Sequence, residues 1–156
     1  MKYKIALILS LISFSYHTSL GQDKKYVYYF DKDLNESSKS KSVFTGTGVI
    51  ENDALKLVCV DNDTRQVAVV GYFTDSSLRV HHGLYATFYS NGSKATEGNY
   101  DQGKEDGLFR EWDRAGRITD STIYVKGKKT SDSKFRYRRN GQLASADFTD
   151  FNNDKE

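Results

Sequence analysis

The chain has 156 residues, no proline, 12 glycines and a single cysteine, with 13% aromatic and 28% charged residues. That length suits one domain and excludes a multidomain enzyme. Cys59 alone cannot make a disulfide scaffold, and the aromatic content provides a core, which excludes wholesale disorder.

The first 21 residues have the layout of a secretory signal peptide. Lys2 and Lys4 form a positive start, residues 5–14 are apolar apart from Ser10 and Ser13, and Ser19 and Gly21 are small residues ahead of Gln22. The apolar run is too short to span a bilayer. Removing residues 1–21 takes away Lys2 and Lys4 and no acid, so the remaining basic and acidic residues balance. A balanced total gives no support to nucleic-acid binding.

Residues 26–30 are Tyr/Val-rich and read as a strand, followed by a polar Ser/Lys-rich connection over 31–42. Residues 43–50 and 55–60 are strands broken by Glu51-Asn52-Asp53. The run 66–73 is another, entered through the turn Asp61-Asn62-Asp63-Thr64. Leu55, Leu57 and Cys59 share one strand face, which makes Cys59 a buried, inert thiol. The stretch from Gly71 to Gly83 is longer than its later counterpart, Gly98 to Gly107, which predicts a longer loop around 75–79.

From residue 83 the chain repeats. Gly83-Leu84-Tyr85 with Phe88 and Gly92 returns 24 residues later as Gly107-Leu108-Phe109 with Trp112 and Gly116. A weaker copy ends in Tyr137 and Gly141, with Asp132 where the leading glycine would stand. A second series, Tyr100 with Gly103 and Tyr124 with Gly127, lies between these copies. Turn glycines at 92, 103, 116, 127 and 141 leave room for strands of 6–8 residues and for no helix. The pattern predicts an all-β antiparallel meander of hairpins. Asn91-Gly92 and Asn140-Gly141 predict type I′ turns. Matched rings are expected to stack in three rows: Phe88, Trp112 and Tyr137; Tyr85 and Phe109; Tyr100 and Tyr124.

The string 83–94 and the stretch Glu97 to Trp112 resemble the MORN-repeat variant of bacterial YwqK-type proteins, a family labelled antitoxin repeat proteins. With its leader and the Tyr-Tyr-Phe-Asp-Lys-Asp segment at 28–33, the chain is similar to exported members from Bacteroidota-type bacteria. The resemblance implies an open sheet of about 24 residues per repeat, used for protein or surface interaction without chemistry. The expected organisation is a signal peptide over 1–21, an N-terminal strand and polar linker over 22–42, a MORN-like β-repeat domain over 43–149 and a disordered acidic tail over 150–156.

No catalytic, metal or cofactor constellation emerges. His81 and His82 are adjacent, point to opposite faces of a strand and cannot chelate one ion. Asp31-Lys32-Asp33-Leu34-Asn35 opens like a calcium loop but has Glu36 where glycine is needed and Ser42 where a bidentate glutamate belongs. The one segment above background is 126–139, with seven basic residues against Asp132 alone. Lys126, Lys128, Lys134, Arg136 and Arg138 are its candidate binding residues, with 134, 136 and 138 on one strand face and Phe135 and Tyr137 on the other. The expected function is an exported, non-enzymatic interaction module, in the periplasm, outside the cell or on its envelope, for a protein or envelope partner. The alternatives are an anionic lipid or glycan binder through 126–139 and, last, a hydrolase using His81 or His82.

Overall fold

The computed structural model describes residues 24–151; residues 1–23 and 152–156, which hold the expected signal peptide and most of the expected tail, lie outside them. The strands are β1 (Tyr26–Phe30), β2 (Phe44–Glu51), β3 (Ala54–Asp61), β4 (Val67–Phe73), β5 (His81–Phe88), β6 (Lys94–Asp101), β7 (Lys104–Glu105), β8 (Gly107–Trp112), β9 (Ile118–Val125), β10 (Lys128–Tyr137) and β11 (Leu143–Asp150). All pair antiparallel with their neighbours in one open sheet, in chain order, with the short β7 beside β6 off the main path. One 3₁₀ turn, Lys39–Lys41, is the only helical element among the described residues. The fold is all-β. β1 belongs to the same sheet as the repeats, and the segment after it folds back so that Ser37 N–H donates to Tyr29 O at 2.8 Å. At the far end β11 continues through Asp150, into the expected tail, and Phe151 N–H donates to Thr130 O at 2.8 Å.

Two kinds of turn alternate along the sheet. The two-residue loops Asn52-Asp53 (φ 50° and 64°), Gln102-Gly103 (48° and 80°) and Lys126-Gly127 (52° and 85°) have both residues left-handed, as type I′ requires. The turns at Asn91-Gly92 and Asn140-Gly141 are of another kind, and the type I′ expectation for them is corrected. Only the glycine is left-handed there, and Gly92 N–H donates to Tyr89 O at 2.8 Å while Gly141 N–H donates to Arg138 O at 2.9 Å. These are type I turns closed by a left-handed glycine. The asparagine serves through its side chain instead: Asn91 Oδ1 accepts from Ser93 N–H and Asn140 Oδ1 from Gln142 N–H, each at 3.1 Å. Gly116 closes its turn the same way.

Repeats are fastened to one another at the other end of the strands. Gly103 N–H donates to His81 O at 2.8 Å, and 24 residues on Gly127 N–H donates to Glu105 O at 2.7 Å. Gly83 and Gly107, which head the first two copies, are left-handed (φ 103° and 86°). At Asp132, which has a side chain, β10 runs on instead and takes up the irregularity as a register shift between Lys129 and Ser131.

The core sits in the first half of the chain. Alternation along β3 and β4 turns Leu55, Leu57 and Cys59 to the same face as Val69 and Phe73, where all are buried. Tyr28 and Phe30 from β1, Leu78 from the loop over 74–80 and Tyr85 pack against them. Tyr28 Oη donates to Ser76 O at 3.0 Å, which ties that loop to β1. The expected longer loop is therefore part of the core's cover.

Beyond the core the same face carries rings. Tyr85, Tyr100, Phe109 and Tyr124 meet edge to face at 6.2, 5.3 and 5.1 Å between successive centroids, so two of the expected rows interleave into one. The third row does not stack. Phe88, Trp112 and Tyr137 lie on β5, β8 and β10, each separated from the next by an intervening strand, which sets Lys94 opposite Phe88 and Ile118 opposite Trp112 instead of a ring. Lys94 lies over Trp112 at 5.4 Å and Arg117 over Tyr137 at 4.8 Å, while Tyr137 Oη donates to Ile118 O at 2.9 Å.

Candidate interaction surface

The basic segment is less basic in space than in sequence. Arg136 pairs with Asp147 of β11, and Lys129 pairs with Asp132. Lys134 stands opposite Asp120 of β9 on one side and Asp147 on the other. The hydrogen bond from Lys129 holds the Asp132 carboxyl below its ordinary value, with Thr149 helping, and the same bond raises the Lys129 ammonium above its own. Arg138 is not on the strand face with Lys134 and Arg136. β10 ends at Tyr137, and Arg138 opens the turn that Gly141 closes. Of the five expected binding residues, only Arg136 makes an ion pair among the described residues. Lys126 lies in the turn before β10, Lys128 begins the strand and Arg138 lies beyond its other end, so the geometry does not gather the five into one patch.

The opposite face of the same strands exposes several apolar side chains among polar ones. Leu108 of β8 and Ile123 of β9 stand directly opposite each other, and both are exposed. Phe148 of β11 is 74% exposed on this face and meets Phe135 edge to face at 6.2 Å. Arg110, Ser121, Ser133 and Phe148 lie opposite one another across β8, β9, β10 and β11, so polar side chains stand between the two apolar pairs. Sequence reading missed this face. The available signal was the apolar residue after Gly107, matched at 123, but alternation alone does not say which face a neighbouring layer covers.

The histidines part as expected. The His81 ring packs between Phe73 at 4.6 Å, Tyr85 at 4.8 Å and Tyr100 at 4.9 Å, and burial pulls its pKa down. His82 takes the other side, its Nδ1 3.5 Å from Asp101 Oδ1. Asp31 spends its carboxylate inside its own loop, accepting from Asp33 N–H at 2.9 Å and Asn35 N–H at 3.0 Å. Asp61 does the same for Asp63 and Thr64. The neighbouring Asn62 accepts from Thr45 Oγ1 at 2.7 Å and donates to Ser42 O at 3.0 Å, which locks the start of β2 to the β3–β4 turn. Cys59 is 1% exposed, and burial pushes its thiol up to about 12, so it is protonated and unreactive at neutral pH.

No helix among the described residues is long and apolar enough to cross a membrane. No protein-family model matches the chain, and no curated protein matches it.

Proposed function

We propose that this is an exported, non-enzymatic repeat protein of MORN-variant type that docks a protein or a cell-envelope component on the face of β8–β11 that exposes Leu108, Ile123 and Phe148. The observation that carries the reading is the exposed Leu108–Ile123 pair on a sheet one layer thick, with Phe148 on β11, the last strand in the sheet order among the described residues. Exposed apolar groups gathered on one face mark an interaction surface more often than isolated ones do. Export rests on the leader-like residues 1–21. The absence of chemistry rests on the two histidines: one is packed among rings, the other lies beside a carboxylate, and neither bonds a serine, threonine or cysteine among the described residues.

The test is capture from envelope fractions with the immobilised protein and with Leu108→Lys, Ile123→Lys and Phe148→Lys variants. A partner held by the native protein and released by these surface changes supports the reading. A partner retained by all three, or no specific partner, overturns it. A second reading, an anionic lipid or glycan surface, is favoured only by Lys126, Lys128 and Arg138, which make no ion pair among the described residues. It requires salt-sensitive binding to anionic vesicles that falls when these three are changed to glutamine.

A further inference from the structure

A cavity of about 220 Å³, open to solvent on one side, lies between the core face of the sheet and its two long loops. Leu57 and Cys59 form its floor, and His81 and Tyr85 wall one side. Leu34, from the connection after β1, and Leu78, from the loop over 74–80, both line it although they are far apart in sequence.

Three features distinguish this space from a packing fault. Leu34 (φ 63°) and Leu78 (φ 57°) are both left-handed, a conformation that bulky residues avoid, and both line the same cavity. Strained residues of this kind cluster at ligand clamps. His81 and Tyr85 line the cavity with no side-chain hydrogen bond among the described residues, and neither has a sealed, unpaired polar atom. Each has a hydrogen-bonding group to offer. None of the lining residues is an acid, a lysine or an arginine, and burial keeps His81 neutral.

These features define the ligand's chemistry. An apolar cavity of roughly 150 Å³ takes up benzene, so this one holds a single substituted ring. A charged group would enter without a counter-charge, at a large desolvation cost. We infer that the cavity binds a small uncharged molecule with one apolar ring and one hydrogen-bonding group, held under Leu34 and Leu78 with that group toward His81 and Tyr85.

The experiment is titration of the ¹⁵N-labelled protein with phenol and, separately, with benzoate, which has the same ring and a charge. Phenol is expected to give saturable shifts confined to amides of the cavity lining, and benzoate to bind at least about tenfold more weakly. Leu78→Gly and Leu34→Gly suit the left-handed backbone while removing the cover. Each is expected to weaken phenol binding by roughly tenfold with an unchanged β-sheet circular dichroism spectrum. Three results would overturn the inference: no saturation with phenol up to its solubility limit, equal binding of benzoate, or undiminished phenol binding by both glycine variants.

Discussion

The ring of Phe109 lies flat on the backbone of Gly98: a Cβ built on that glycine would stand 2.2 Å from Phe109 Cδ1 and 2.2 Å from Cε1. Tyr85 approaches Gly71 in the same way, at 2.8 Å from the corresponding position. Each glycine gives up its own side-chain volume to a ring from the next strand. This lets a single-layer sheet build a continuous row of aromatic contacts without a second layer.

Gly98→Ala is therefore expected to destabilise the fold by about 2–3 kcal/mol through overpacking. Gly107→Ala, at a left-handed position with nothing within 4 Å, is expected to cost about 1–2 kcal/mol from backbone conformation alone. Urea unfolding gives both values. Removing the ring with Phe109→Ala should cancel most of the Gly98→Ala penalty and none of the Gly107→Ala penalty. Equal behaviour of the two glycines in that background contradicts the packing account.

Lys126 occupies the first position of a type I′ turn with φ 52°, where asparagine is the better residue. Its backbone N–H donates to Asp106 Oδ1 at 3.0 Å, a bond that any side chain leaves intact. Lys126→Asn is expected to stabilise by about 0.5 kcal/mol and to raise the melting temperature by roughly 1–3 °C. A lower melting temperature in a calorimetric scan contradicts the turn assignment.

Lys134 faces Asp120 and Asp147 across two strand pairs. Lys134→Glu would line up three carboxylates and is expected to cost about 1 kcal/mol. Lys128→Gln, at an exposed position without an ion pair, should stay within about 0.5 kcal/mol of the native protein. Chemical denaturation of the two variants measures the difference, and equal stabilities would mean that the cross-strand charges are uncoupled.

Acid should weaken the fold through its turns. The Arg117 side chain beside Asp113 holds that carboxyl below its ordinary value of 3.8, with the Arg117 and Ala115 backbone amides assisting. The Asn35 amide does the same for Asp31, and the Thr64 amide for Asp61. A carboxyl lowered in the folded state contributes stability above its unfolded value, and that contribution is lost as pH falls through the folded value. The urea midpoint is thus expected to hold near pH 5 and to decline below about pH 4. Asp113→Asn keeps an acceptor for the two backbone amides and drops the charge, so its midpoint should decline less over the same range. An identical decline would place the acid sensitivity elsewhere.

Much of the architecture was legible because glycine and aromatic residues act locally. The 24-residue offset appears in space as the matching bonds from Gly103 to His81 and from Gly127 to Glu105. β1 was readable from Tyr26 to Phe30 because a strand's composition is local. The turn types at 91–92 and 140–141 were not legible, because Asn-Gly suits two geometries and the register shift before each turn selects between them. Phe88, Trp112 and Tyr137 keep the repeat spacing but do not meet, because Lys94 and Ile118 stand opposite Phe88 and Trp112 where Tyr100 and Tyr124 supply the intervening rings of the other row.

By itself the sequence determined that this chain is a β-meander, where its strands turn and which residues alternate, since these depend on the conformational range of a few neighbouring residues. Only the tertiary structure decided what those residues meet. Asp120 and Asp147 arrive from the flanking strands to offset the basic run on β10. Leu34 and Leu78, separated by three strands, line one cavity. Charge compensation and enclosure depend on distances across strands, and those distances are set by pairing register and loop closure rather than by nearby residues.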